Sequence, residues 1–266
     1  MSVDLLERAT AHTATVTILG VKIAATTYSA FSQAIVKRAK AHSAAYICVA
    51  NVHTVMEAHD DPGFRTVMNE ADAAVPDGMP LVWALRTLGK GSASRVYGPD
   101  LMPIVLSEAL NAGIAVGLYG GSEKTLARLR DVILRQFPGL TIAYCFSPPF
   151  RTLTREEDEI VVNEINRSGA RILFVGLGAP KQEYWMAAHR DSVNAVMIGV
   201  GAAFDFLAGT KRQAPRWMMR IGMEWCFRLI TEPRRLWKRY LKHNPRFVAL
   251  FVLQLVGFSD FNSDAV

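Results

Sequence analysis

The sequence predicts an α/β fold: a doubly wound, mostly parallel sheet with helices on both faces, followed by a cationic amphipathic helical appendage. Three observations carry this. From residue 15 to about residue 210, short β-rich runs alternate with helix-length stretches, the pattern of a parallel sheet with crossover helices. Several of the runs are continuously hydrophobic, as strands covered on both faces require. Charge then marks a boundary near residue 210. Of the 30 Lys and Arg, eleven stand between Lys211 and Phe247 against only Glu224 and Glu232, whereas residues 1–210 carry 19 basic and 20 acidic residues. The predicted organisation is a core over 1–210 and an appendage over 211–266.

Taken in order, the strand runs are TVTILG (15–20), AYICVANV (45–52), AAVP (73–76) and IAVGLYGG (114–121). SEKTLARLRDVILRQF (122–137) then opens on Ser122, an N-cap residue, and stops before Pro138. LTIAYCF (140–146) precedes TREEDEIVVNEINRSG (154–169), where Thr154 and Glu157 form a capping box, acids fill the first turn and Gly169 ends the helix. RILFVGLG (171–178) and NAVMIGVG (194–201) complete the strand set. Beyond residue 210, Pro215, Pro233 and Pro245 each mark a helix start. They predict helices at 216–231 and 234–243, cationic on one side and carrying Trp217, Trp225 and Trp237.

Half of the 266 residues are apolar, enough for a full core. The three cysteines, Cys48, Cys145 and Cys226, are scattered and odd in number, which points to a reducing compartment and away from a disulfide framework or a zinc site. The N-terminal stretch lacks the pattern of a signal peptide. The longest apolar run, FVALFVLQLVGF (247–258), is too short to span a bilayer. The expectation is a cytoplasmic protein that does not cross a membrane.

In an open α/β sheet, ligands bind beyond the C-terminal ends of the strands. Four such ends carry polar chemistry: NVHT (51–54), PDGMP (76–80), GLGAPKQE (176–183) and GVGAAFDF (199–206). At the third, Gly176 and Gly178 allow a close backbone approach, Pro180 reads as the first residue of a helix, and Lys181 or Gln182 can donate to phosphate or sugar oxygens. A tight turn with surface polar residues is the plainer reading. Asp77, between Pro76 and Gly78, suits a general base, with a helix cap as its alternative. Asp205, between Phe204 and Phe206, suits a ribose or base contact or a buried cap. His53 falls at the same mouth, where a structural role is the alternative, and RVYGPD (95–100) reads as a helix start.

Familiar motifs fail. GLYGGSEKT (117–125) has Ser122 and Glu123 where a Walker A loop needs Gly and Lys, and GVGAAF (199–204) ends in Phe where the dinucleotide fingerprint needs Gly. There is no H-E-x-x-H, no G-x-S-x-G and no D-x-D, so no metal clamp for a diphosphate is legible. The basic C-terminal stretch suits an anionic membrane or nucleic acid.

Five blocks together resemble the WecG/TagA/CpsF family of bacterial glycosyltransferases: NVHTVMEAHDDPGFRTVMNEADAAVPDGMPLVWALRTLG, RVYGPDLM, FVGLGAPKQEYW, GVGAAFDFLAG and EWCFRLITEPRRLWKRYL. The resemblance runs from about residue 15 to 247 with the motifs in family order. It implies a Rossmann-like core, a UDP-sugar donor, inversion at the anomeric carbon, and a polyprenyl-diphosphate-linked sugar as acceptor, with products feeding surface polysaccharide. It also implies an appendage that touches the cytoplasmic membrane and completes the site. Residue by residue, Asp77 matches the catalytic base, Asn51 and Gln182 the polar pocket, and Asp205 a nucleotide contact. Arg228, Arg235 and Arg239 match the arginines that face the diphosphate, with Arg234 an alternative to Arg235. One departure stands out: where some members have Thr two residues before the pocket Asn, this chain has Val49.

The resulting expectation is a metal-independent hexosyltransferase with no cofactor and no nucleic-acid partner, peripheral on the inner face of the membrane. N-acetylmannosamine, its uronic acid, glucose and galactose remain open as the transferred sugar, and a homo-oligomer is open as the assembly. The rival readings are a nucleotide-sugar oxidoreductase on the same fold and a non-catalytic protein that binds membrane surfaces.

Overall fold

A computed structural model describes residues 14–257. The acidic residues Asp260 and Asp264, the end of the apolar run at Phe258, and the N-terminal stretch judged for a signal peptide lie outside the described residues. Among the described residues the main sheet has six strands, all parallel, in the order β4-β3-β8-β7-β5-β6. These are β3 (Ala45–Ala50), β4 (Ala73–Pro76), β5 (Val116–Gly120), β6 (Ile142–Phe146), β7 (Ile172–Gly176) and β8 (Val196–Gly199). Every one of them coincides with a predicted strand.

Alternate residues of the strands feed two separate cores, because successive side chains of a strand point to opposite faces. Ile47, Val49, Leu118, Phe174 and Ile198 pack against α1 (Tyr28–Lys40), α5 (Gly98–Asn111), α6 (Glu123–Gln136) and the short α9 (Ala203–Leu207). Tyr46, Cys48, Leu173, Val175 and Met197 pack on the other face. There they meet α2 (Val52–Asp60), α3 (Pro62–Asn69), α4 (Met79–Thr87), α7 (Arg155–Ser168) and α8 (Lys181–Ala188). Helices on both faces of a parallel sheet make this a Rossmann-like α/β fold, as predicted. The caps are also those expected. Ser122 accepts from the Thr125 N–H, Thr154 and Glu157 form a reciprocal box, and Gly169 sits at φ 78°.

Five local features depart from the sequence reading. The first run stops at Ile18, and VKIA returns as a further strand, so that β1 (Thr15–Ile18) and β2 (Val21–Ala24) form an antiparallel hairpin. Its two-residue turn holds Leu19 at φ 50° and Gly20 at φ 88°, and a leucine at positive φ is a poor sequence signal. Pro180 is the N-cap of α8, so the helix starts at Lys181. The expected helix 216–231 is interrupted: α10 (Arg216–Arg220) and α11 (Glu224–Thr231) flank Gly222 at φ 75°. A Cβ there would lie 2.5 Å from the Trp83 ring, so only glycine lets the chain pass under that indole. The helix expected at 234–243 does not stop at Pro245; α12 runs from Pro233 to Leu255. Pro245 faces solvent, where water can satisfy the carbonyl it leaves unbonded, while Leu236, His243 and Phe247 hold the opposite face in place. Gly176 lines a cavity, but what its bare Cα accommodates is the Phe204 ring, 2.6 Å from where a Cβ would stand.

The C-terminal helices return along the core. Arg246 of α12 makes a forked ion pair with Asp60 of α2 at 2.7 and 2.8 Å, the bidentate geometry that gives such pairs their strength. Gln254 accepts from the Leu19 N–H at 3.0 Å and donates to the Thr17 carbonyl at 2.8 Å, tying the far end of α12 to the hairpin. Among the described residues, no helix is long and apolar enough to cross a membrane.

Candidate active site

Parallel register brings the polar strand ends together. β3 and β4 pair Ala50 with Pro76, so Asn51 and Asp77 leave the sheet side by side, and the Asp77 N–H donates to the Ala50 carbonyl at 2.7 Å. Two cavities open there. The smaller, about 100 Å³, lies under the C-terminal helices and is lined by Met79, Met219, Trp225 and Tyr240 among others. The larger, about 420 Å³, lies over the ends of β7 and β8 and is lined by Gly176, Gly178, Gln182 and Asp205. Asn51, Asp77, Arg228 and Arg239 line both. Asp77 therefore sits on the wall the two cavities share.

Asp77 is held by a residue that the sequence reading passed over. Arg95 donates through Nε to the Asp77 carbonyl and through Nη2 to Oδ1 at 3.3 Å. The same Nη2 pairs with Glu224 of α11 at 2.5 Å, and the guanidinium stacks 4.0 Å from the Tyr97 ring centre. Burial pushes the Asp77 carboxyl up, Arg95 and Arg228 pull it down and Glu224 pushes it up, leaving it at about 6. A carboxyl in that range can be ionised at neutral pH and still be basic enough to take a proton. Arg95 keeps its charge: burial opposes it, but Asp77 and Glu224 outweigh burial.

The two pocket amides are each fixed by their oxygen. Asn51 Oδ1 caps α2 by accepting from the His53 and Thr54 N–H groups at 3.0 and 3.4 Å. Gln182 Oε1 accepts from the Gly178 N–H at 3.2 Å, and its Nε2 donates to Glu183 at 2.9 Å. Both side chains are thus left with N–H groups to offer, so they suit a ligand rich in oxygen acceptors. Glu183, unassigned from the sequence, is fully buried, with its second oxygen unpartnered among the described residues. Val49 lines the larger cavity and brings no hydroxyl to it.

Cations complete the site. Arg228 and Arg239 are half-buried, and the buried Nε of each has no hydrogen-bond partner among the described residues. Burial pulls the Arg239 guanidinium down to about 10; Arg228 and Arg235 add repulsion, and Tyr240 and Glu57 oppose it. Such a cluster is short of negative charge. Arg235 lines the mouth of the larger cavity, where Glu232 of the preceding turn holds it, and Arg234 does not line it. Asp205 also reaches the larger cavity, but its carboxylate already bonds Lys211 at 2.8 Å and accepts from Thr210 at 3.2 Å. It is partly exposed, which removes the buried-cap reading. Phe150, 95% exposed, stands at the lip between the larger cavity and a third of about 890 Å³. His53 lines the smaller cavity beside Glu57 and His243, joining α2 to α12 through the His243–Glu57 contact at 3.2 Å. Burial, with Arg239, His243 and Lys242 nearby, lowers His53 to about 3, so its ring is neutral.

A carboxyl on a wall between two cavities, facing amide donors and guanidiniums, suits a transfer between two oxygen-rich substrates. Comparison with known proteins agrees. The family model for the glycosyl transferase WecG/TagA/CpsF family matches residues 16–260. This chain belongs to that family. It is also 34% identical over 205 residues, 77% of each chain, to the N-acetylglucosaminyldiphosphoundecaprenol N-acetyl-beta-D-mannosaminyltransferase of Bacillus spizizenii (strain ATCC 23059 / NRRL B-14472 / W23). Membership makes it a glycosyltransferase, so the oxidoreductase and non-catalytic readings fall away.

Glu183 gives a stability test. Burial raises its carboxyl from 4.5 to about 7, against the pull of the Gln182 hydrogen bond. Between those values the folded chain holds a proton that the unfolded chain has released. The stability this proton confers is complete below pH 4.5 and is lost as pH rises through 7. Glu183→Gln removes the dependence, so from pH 5 to pH 8 the variant should gain about 2 to 3 kcal/mol relative to wild type in urea unfolding. An unchanged difference between the two pH values contradicts a buried acid at this position.

Proposed function

We propose that this chain is an inverting transferase that moves a hexose from a UDP-sugar to a polyprenyl-diphosphate-linked sugar, with no metal on the donor diphosphate. The observation that carries this is the position of Asp77 on the shared wall of the two cavities. In this reading the donor occupies the larger cavity and the acceptor sugar the smaller. Asp77 takes the proton from an acceptor hydroxyl as its oxygen attacks the anomeric carbon from the face opposite UDP. The bond between that carbon and the diphosphate oxygen breaks, and UDP leaves. Arg228 and Arg239, with Arg235 at the mouth, receive the charge that grows on the diphosphate. Forked guanidiniums suit this task, and a D-x-D clamp is missing from the sequence. Asp205 and the exposed ring of Phe150 suit the nucleoside end.

The named activity of the Bacillus relative makes N-acetylmannosamine the first donor to try and an N-acetylglucosaminyl diphosphate lipid the first acceptor. A lipid-linked acceptor requires a membrane surface. Residues 211–266 are proposed as a membrane-associating appendage on the cytoplasmic face, since they carry exposed Trp217, Ile230, Trp237 and Leu241 among the basic residues.

UDP release, measured with a panel of UDP-sugars with and without lipid-linked acceptor and with EDTA present, tests the reaction. The expected result is acceptor-dependent release that survives EDTA, falls off below pH about 6 as Asp77 takes up its proton, and drops about 10²- to 10⁴-fold in Asp77→Asn. Arg239→Ala should cost about 2 to 4 kcal/mol of barrier. Release that requires a divalent cation would overturn the arginine assignment. For the membrane, sedimentation with phosphatidylglycerol vesicles should pull down wild type and lose Ile230→Glu/Leu241→Glu; equal binding of both removes these side chains from the surface.

A further inference from the structure

The Asp77 base is served by a group that its own strand does not supply. Arg95 Nη2 lies between two carboxylates, 3.3 Å from Asp77 Oδ1 and 2.5 Å from Glu224 Oε2. The Nε bond to the Asp77 carbonyl and the stacking on Tyr97 hold the guanidinium beside both carboxylates, so the movement left open is a small shift of Nη2 between them. One nitrogen is therefore shared, and unequally: the shorter charge-assisted bond goes to Glu224. Asp77 and Arg95 belong to the sheet's polar edge, whereas Glu224 opens α11, beyond the charge boundary.

We infer that Glu224 is a positioning residue for Asp77: carried in on the C-terminal segment, it draws the Arg95 guanidinium off the Asp77 carboxylate and so keeps that carboxylate a competent base. The inference rests on the reading of Asp77 as the base. With Glu224 neutral, Nη2 would turn to Asp77 alone, and a carboxylate paired fully with arginine is a weaker base.

The surrounding charges favour this assignment. Around Asp77 in the smaller cavity, Arg95, Arg228 and Arg239 are cations, and Glu224 is the other carboxylate that lines it. His53 from α2 and Tyr240 and His243 from α12 also face the cavity. Both histidine rings are lowered, chiefly by burial, and burial raises Tyr240, so these three groups add no negative charge near neutrality. Besides burial, Glu224 is the group that offsets the pull of Arg95 and Arg228 on Asp77. Docking the C-terminal segment then does two things at once. It brings the arginines for the leaving group, and it brings the acid that frees the base. A segment held away from the core would leave Asp77 locked to Arg95.

The test is the pH–rate profile of acceptor-dependent UDP release by full-length protein, wild type against Glu224→Gln, with kcat and the donor KM separated. The variant keeps size and a hydrogen-bond acceptor and loses only charge. Its acid limb should move to lower pH by about half a unit or more, and its plateau kcat should fall about three- to tenfold, as expected for a weaker base, with the donor KM changed less than about twofold. Glu224→Asp, which keeps the charge but retracts it by one methylene, should shift the limb in the same direction by less. A limb that stays in place in either variant, with a native far-ultraviolet circular dichroism spectrum, overturns the inference. Failure of both variants to fold also overturns it, since Glu224 would then be a structural residue. Asp77→Asn separates the two levels. An active Asp77→Asn overturns the base itself, whereas an inactive Asp77→Asn with an unmoved limb overturns only the part given to Glu224.

Discussion

Three guanidiniums and two carboxylates are partly withdrawn from water where the C-terminal edge of the sheet meets the C-terminal helices. Arg95, Arg228 and Arg239 face Asp77 and Glu224 around one small cavity. Buried charge is tolerated only when it is paired, and here the pairing is incomplete in a defined direction: cations exceed anions, and two buried Nε groups have no partner. An arrangement of this kind costs stability in the free protein and is relieved by an anion. The missing negative charge is a property of the seam, because neither the sheet edge nor the helical segment holds all five groups.

The rest of the molecule supports that seam. Parallel register carries Asn51 and Asp77 to one edge, and packing on both faces of the sheet fixes the edge rigidly. The long α12 is fastened to the core along its length by His243 against Glu57, Arg246 against Asp60 and Gln254 against the β1–β2 turn. Those ties lie further along α12 than Arg239, so they set where its guanidinium stands. Gly222 lets the chain turn beneath Trp83 and deliver Glu224 and Arg228 from the other side. The amides of Asn51 and Gln182 are oriented by backbone N–H groups before any ligand arrives, the preorganisation on which electrostatic stabilisation depends.

Much of this was legible in the sequence, and the boundary of legibility is physical. The strands were readable because a strand buried on both faces must be apolar throughout. Asn51, Asp77 and Gln182 stood out because ligands bind beyond the C-terminal ends of such strands, but caps and tight turns use polar residues there too, as Asn51 does for α2, and it was the resemblance that singled them out for the site. Arg95 was not, since its meaning depends on Glu224, 129 residues away, and locally it only precedes a helix. Glu183 was unassigned for a similar reason: its burial comes from packing against the sheet. Pro245 and the 216–231 stretch misled in opposite directions: local rules read the proline as a helix boundary, which α12 runs through, and read 216–231 as continuous, where the close contact of Gly222 with Trp83 breaks it. Leu19 hid a hairpin by adopting a backbone conformation that leucine rarely takes.

Arginines brought by the C-terminal helices should make the seam a diphosphate site. Calorimetric titration of full-length protein with UDP and with uridine, in EDTA, for wild type and Arg239→Gln, tests it most directly. UDP should bind wild type without a divalent cation, Arg239→Gln should weaken UDP at least about tenfold, equivalent to about 1.4 kcal/mol, and uridine should bind both proteins alike. Equal UDP affinity in the two proteins, or UDP binding that appears only when a divalent cation is added, would contradict the account.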